Sequence, residues 1–204
     1  MKKVSKIVLA IMLVASLALI VTGCGNSNDN GKSKTYNALS KAFSGDNYIV
    51  SLDEEGVSTV IIAVKGENMY MNVKETDSNI SIVYKDGSTY IISHDDEMYM
   101  VSEGKDEEMD ENMSILSKED LAEIENAEYK TGKEEINGTE YYYEEYKIDG
   151  EADTERYYFD GDNLVYIKTI DEDGEEEILK VLELSSEVDD SIFEIPSNYE
   201  KLDV

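Results

Sequence analysis

The sequence is poor in the residues that form covalent cross-links and that serve most catalytic sites. It has one cysteine, one histidine, one proline and no tryptophan in 204 residues. A single cysteine excludes a disulfide within the chain, so the fold must depend on an apolar core. Neither a zinc-binding pattern nor a nucleophile elbow is present. We therefore expect a non-catalytic chain without cofactor or metal ion, in which His94 is a solvated turn residue.

Positive charge is also scarce. The chain has 18 Lys and Arg against 47 Asp and Glu, which gives a formal net charge of −29. Such a surface repels the phosphates of nucleic acid and the head groups of anionic lipids, so we expect no nucleic-acid partner. Its natural complement is a basic envelope protein or a diffuse layer of cations.

The N-terminus has the three parts of an export signal. Basic residues precede an uncharged apolar run over 7–21, and the small residues Thr22 and Gly23 precede Cys24. A membrane-spanning helix needs about 20 apolar residues, more than this run supplies. The segment resembles the lipobox of bacterial lipoproteins. The resemblance implies that residues 1–23 are a signal peptide, that Cys24 carries the lipid, and that the protein is extracytoplasmic and lipid-anchored to the cell membrane.

After the cysteine, the composition predicts a tether and then one domain. Residues 24–34 are polar and rich in Gly, Asn and Ser, which is typical of a flexible linker. Residues 35–204 form a single domain in this interpretation. It begins with a helix over 35–43, where apolar residues recur at helical spacing. A second short helix follows Ser117, whose spacing from Asp120 resembles a capping box.

Between and after these helices, apolar residues recur at every second position, which predicts strands. Short breaks containing Gly, Asn or Asp join neighbouring strands as hairpins, and Asn137-Gly138 is the strongest such signal. We expect a mainly β (α+β) fold, a large curved antiparallel sheet or half-barrel covered by the two helices. The eleven predicted strands span 47–52, 57–65, 69–74, 80–84, 89–92, 98–101, 129–136, 139–148, 155–159, 164–170 and 177–184.

Two kinds of side chain on these strands suggest binding surfaces. Methionine adapts to varied apolar partners, so the Met-rich strand faces predict either an ordinary core beneath the helices or an apolar ligand cavity. Tyrosines over 141–146 and 157–158 predict a structural cross-strand ladder, with a glycan-binding surface as a minor alternative. Acidic loops over 160–163 and 171–175 lack the full calcium-loop spacing. The candidate cavity residues are Met69, Met71, Ile80, Ile82, Tyr84, Met98 and Met100.

The whole mature chain resembles a known lipoprotein architecture. The hairpin segments KGENMYMNVK and YKDGSTYII, a middle helix and the ending DDSIFEIPSNYEKLD look like the LolA/LolB-like lipoproteins, including uncharacterised Gram-positive members. The resemblance implies a half-barrel around a cavity that holds acyl chains. We therefore expect a membrane-anchored protein that binds a lipid or a lipidated protein in the concave face of its sheet. The alternative is a cell-envelope adaptor that binds a protein partner through its acidic or tyrosine-rich surface.

Overall fold

The structure, a computed structural model, describes residues 32–43, 45–105, 118–147 and 154–202. The predicted signal peptide and Cys24 lie outside the described residues, as do most of the predicted tether and most of the acidic stretch over 103–111. Among the described helices, none has the length and apolar character needed to cross a membrane.

The described residues form two α-helices, one 3-10 helix at Asp190–Phe193 and twelve strands. The helices are α1 (Lys34–Phe43) and α2 (Lys118–Asn126). The strands are β1 (Asn47–Glu54), β2 (Ser58–Lys65), β3 (Asn68–Glu75), β4 (Ser78–Lys85), β5 (Ser88–Ser93), β6 (Met98–Glu103), β7 (Lys130–Ile136), β8 (Thr139–Lys147), β9 (Thr154–Asp160), β10 (Asn163–Ile170), β11 (Glu176–Ser185) and β12 (Glu200–Lys201).

The predicted fold class is confirmed: the chain is mainly β, with antiparallel strands and two short helices. The sequence did not predict β12, which has two residues and pairs in parallel with β6. The first helix begins at Lys34, and Ser33 is buried with its hydroxyl accepting the Tyr36 N–H at 3.0 Å. Ser33 thus caps the helix, so residues 33 and 34 belong to the folded part and not to the tether.

The described residues divide into two compact units, one within residues 1–41 and 115–181 and the other within residues 42–114 and 182–204. In the first unit the strand order is β11-β10-β9-β8-β7. Asn137 and Gly138 join β7 to β8 with positive φ angles of 52° and 81°, as a tight hairpin turn requires. A β-bulge between Leu164 and Tyr166 interrupts the pairing of β10 with β9.

In the second unit the strand order is β12-β6-β5-β4-β3-β2-β1, so the first six strands form a meander. Its core cluster consists of buried residues from four strands and the buried Phe193. The segment 188–199, which we call the C-terminal strap, packs on this cluster through partly buried apolar side chains. Lys65 holds the strap by an ion pair with Asp190 at 2.8 Å and by a hydrogen bond to the Val188 carbonyl at 3.0 Å. The strap thus covers one face of the meander. The cluster residues on the strands are Ile49, Ala63, Val83 and Ile92.

Candidate functional site

The other face of the meander in the second unit carries a continuous row of apolar side chains. Met71 on β3 lies opposite Ile82 on β4, Ile82 opposite Ile91 on β5, and Ile91 opposite Met100 on β6. Directly opposed residues of an antiparallel pair point to the same face. With strands about 4.8 Å apart, the four side chains form an apolar row about 14 Å long.

Exposure increases along this face from β2 towards β6. Ile62, which lies opposite Met71, is 2% exposed, whereas Ile91 and Met100 are 39% and 37% exposed. Ile80 beside them is 43% exposed. Neighbouring exposed apolar side chains are uncommon on monomeric proteins unless they bind something, so this face is the candidate ligand site.

The seven residues singled out from the sequence all lie on this face. Their strand registers place Met69 opposite Tyr84, and Met98 opposite Ser93, which in turn lies opposite Ile80. Met69 is buried, and Ile80 and Met100 are exposed; the other four are half-buried. Sequence reasoning missed Ile91, because it lies between Tyr90 and Ile92 and the apolar alternation is ambiguous there.

His94 is more constrained than the sequence predicted. It does lie in a turn, but its ring is half-buried and both nitrogens have partners. Nε2 lies 2.7 Å from Ser81 Oγ, and Nδ1 lies 3.1 Å from the hydroxyl of Tyr199 in the C-terminal strap. The expectation of a solvated histidine is therefore wrong, because a residue from the far end of the chain closes over the ring.

The Ser81–His94 pair resembles a nucleophile and its base in distance alone. Ser81 is 0% exposed, and its hydroxyl also contacts Asn72 Nδ2 at 3.0 Å and Tyr70 OH at 3.2 Å. A substrate carbonyl has no access to an oxygen that is fully buried and surrounded by three partners. The arrangement links the strap to the meander and offers no reactive hydroxyl.

The first unit carries a network of ion pairs on its tyrosine-rich strands. The Glu134 carboxylate accepts hydrogen bonds from Lys168 Nζ at 2.5 Å, Tyr158 OH at 2.7 Å and Arg156 Nη1 at 2.9 Å. Burial alone would raise the pKa of Glu134, but Lys168, Tyr158 and Arg156 together hold it below its ordinary value. Lys168 is buried, and its pKa is nevertheless raised because Glu134 and Glu176 outweigh the effect of burial.

In the acidic loop over 171–175, the carboxylate of Asp171 accepts hydrogen bonds from the backbone of the same loop. Asp171 Oδ1 accepts the backbone N–H groups of Asp173 and Glu175 at 3.0 and 2.8 Å. Within the described residues, no group of three or more His, Cys, Asp or Glu side chains is placed to hold a metal ion.

Comparison with known proteins gives similarity at the level of structure only. No protein-family model matches the chain, and no curated protein matches it. An uncharacterized conserved protein from Thermus thermophilus is similar with a TM-score of 0.42 and 10% identity, over 81% of this chain and 94% of that one. The crystal structure of MucB is similar with a TM-score of 0.41 and 15% identity, over 80% of this chain and 62% of the MucB chain.

Proposed function

We propose that the protein is a non-enzymatic, extracytoplasmic lipoprotein, anchored to the membrane through lipid on Cys24, that holds an apolar ligand on the row Met71–Ile82–Ile91–Met100. The observation that carries the proposal is the exposure of Ile80, Ile91 and Met100. On the same face of the sheet, side chains of β2 and β3 such as Ile62 and Met69 are buried. An alkyl chain or the lipid group of a lipidated protein has the chemistry that such a face binds.

The dimensions of the row favour a narrow, linear ligand. Neighbouring rows on one strand face are about 6.7 Å apart, and the adjacent row contains Ser93 between Ile80 and Met98. On the other side, Tyr84 lies opposite the buried Thr89. The apolar strip is thus one to two side chains wide. A stable protein–protein interface buries about 800 Å² per partner, far more than this strip offers.

A direct test is native mass spectrometry of the mature chain with Cys24→Ser, purified without detergent and then incubated with envelope lipids. We expect one apolar molecule bound per chain. Ile91→Glu should abolish the added mass, because a charged side chain in the middle of the row must be desolvated when the ligand binds. Leu182→Glu is the matched control, since Leu182 is 51% exposed and lies on β11, outside the row. A wild-type spectrum that stays free of added mass would contradict the proposal.

A second candidate function is an envelope adaptor that uses the tyrosine-rich strands of the first unit. Tyr141 and Tyr166 pack edge to face with ring centroids 5.5 Å apart, and Tyr143 and Tyr158 are also 5.5 Å apart. Tyrosines of this kind supply contact area at low entropic cost in protein interfaces. This function predicts a protein partner whose binding weakens when Tyr141 and Tyr166 are both changed to Ala, with lipid binding unchanged.

A further inference from the structure

The last strand of the first unit, β7, presents an open edge. Among the described strands, β7 pairs with β8 alone, and it ends the order β11-β10-β9-β8-β7. Lys130, Thr131, Lys133 and Glu135 are exposed along it. An edge strand offers unpaired backbone N–H and C=O groups to another strand.

The hairpin turn determines which residues face outward. In a tight turn the carbonyl of the first residue accepts the N–H of the fourth, so Ile136 bonds to Thr139 across Asn137-Gly138. Hydrogen bonding alternates along an antiparallel strand, so the backbones of Thr131, Lys133 and Glu135 point away from β8. These three residues provide the groups that a further strand would bond.

One pair of charges on β7, Lys130 and Glu134, is complementary between two antiparallel copies of the strand, where it would extend the ion pairs that each residue makes within its own chain. Lysines stand at 130 and 133, and Glu134 and Glu135 follow. Two copies of β7 paired antiparallel about Gly132 place Lys130 of each copy opposite Glu134 of the other, and Thr131 opposite Lys133. This register pairs outward-facing residues with outward-facing residues, as the hydrogen bonding requires. Opposite charges that face each other across two paired strands stabilise the pair.

At the centre of that register, Gly132 has no side chain of its own, and the ring of Tyr143 covers one side of it. Gly132 lies opposite Tyr143, and a Cβ at position 132 would come within 2.5 Å of the Tyr143 ring and hydroxyl. The ring therefore extends across β7 towards the open edge. In the symmetric pair the two Gly132 residues meet at the axis, and the two Tyr143 rings lie beside each other on one face.

We propose that β7 is a homotypic docking edge through which two copies of this chain pair antiparallel about Gly132, with Lys130 of each copy opposite Glu134 of the other. The pairing joins two sheets by main-chain hydrogen bonds about a two-fold axis. It is independent of ligand binding by the second unit, because every residue it uses lies in the first unit.

Higher ionic strength should strengthen this pairing. Each chain carries −29, so two copies repel over distances longer than the screening length of about 10 Å at 0.1 M salt. The contact between Lys130 and Glu134 is shorter than that length and is screened less. Added salt should therefore tighten the association, the opposite of what a surface docked by long-range attraction shows.

The test is sedimentation equilibrium of the full chain in a density-matched detergent at 0.05 M and 0.5 M NaCl. We expect a monomer–dimer equilibrium that is several-fold tighter at the higher salt. Lys130→Glu should weaken it at least tenfold, because two glutamates then face each other. Lys180→Glu, an exposed lysine on β11 with the same change in charge, should weaken it less than threefold.

A second variant tests the backbone itself. Lys133→Pro removes an outward-facing N–H without removing a bond to β8, and proline is tolerated at such edge positions. With its circular dichroism spectrum and melting temperature close to those of the wild type, this variant should remain monomeric. The proposal is overturned by a wild-type chain that is monomeric at every concentration and salt, or by equal weakening in Lys130→Glu and Lys180→Glu. Dimerisation of a folded Lys133→Pro chain at wild-type strength would overturn it too.

Discussion

Glu144 holds the start of α1 from within the first unit. It is 2% exposed, and its carboxylate accepts the backbone N–H groups of Lys34 and Thr35 at 2.9 Å each and the Thr35 hydroxyl at 2.8 Å. The hydroxyls of Tyr142 and Tyr146 each lie 3.3 Å from it. The first N–H groups of a helix have no partner within the helix and carry partial positive charge, so a buried carboxylate is stabilised there.

Changing Glu144 to Gln should destabilise the fold substantially. The amide of glutamine points a donor at groups that are themselves donors, and leaves at least one of them unpaired in a dry site. We expect a loss of roughly 2–4 kcal/mol in the free energy of unfolding, measured in urea. Glu140→Gln is the control on the same strand, since its exposed ion pair with Lys133 contributes less than about 1 kcal/mol. Equal losses in the two variants would show that Glu144 does not hold the helix.

Glu134 gives a prediction about pH. Its pKa is lowered in the folded protein, so the folded state favours the charged carboxylate. The resulting stabilisation is present above the ordinary pKa of about 4.3 in the unfolded chain and is lost as the pH falls through the lower folded value. Urea unfolding should show Glu134→Gln about 1–2 kcal/mol less stable than the wild type at pH 7, with the difference vanishing towards pH 3. A difference that is constant from pH 7 to 3 would exclude this ionic origin.

The buried charges could not be predicted from the sequence. Glu144 and Lys168 lie within tyrosine-rich strands that alternate with many other charged residues, and nothing local distinguishes them. Their burial depends on partners distant in sequence: Lys34 and Thr35 for Glu144, and Glu134 for Lys168. A single sequence shows alternation along each strand but not which side chains from other elements meet it.

At the scale of the elements, the strands were predictable and the covering of their faces was not. Alternation and Gly- or Asn-containing turns placed the first eleven strands to within a few residues, because each hairpin is a local structure. Both faces of β4 and β5 carry apolar residues, such as Val83 and Ile92 on one face and Ile82 and Ile91 on the other, so the pattern cannot show which face is packed. The strap decides this by adding Phe193 to the buried cluster that contains Val83 and Ile92, and no local pattern in the sequence predicts that packing.

Truncating Phe193 tests the strap as an element. Phe193 is 2% exposed within the core cluster, so Phe193→Ala leaves a cavity and should cost about 3–5 kcal/mol in unfolding free energy. Leu202→Ala, at a residue 39% exposed, should cost under about 1 kcal/mol and serves as the control. Calorimetry that gives both variants the same melting temperature would show that the strap is not part of the cooperative core.

At the scale of the whole molecule, the proposed function makes attachment to the membrane depend on one atom, the sulfur of Cys24. In the proposed function, lipid on this sulfur anchors a strongly acidic chain, which repels anionic lipid surfaces. Cys24→Ala should therefore move the protein from the membrane fraction to the soluble extracytoplasmic fraction or leave it as the longer unprocessed form. Fractionation and intact mass would detect either result, and unchanged retention at unchanged mass would contradict the anchor.

The second unit is assembled from two stretches of chain that are far apart in sequence. The meander lies within residues 47–103, and the strap and β12 lie within residues 188–201. A chain made and exported from its N-terminus can form the hairpins of β1 to β6 early, since each pairs neighbours in sequence. The apolar face of Ile49, Ala63 and Val83 then stays uncovered until the strap has been made. If the chain is exported as the proposed function requires, the unit gains its cooperative stability only once the strap has crossed the membrane, and its apolar face is accessible to chaperones until then.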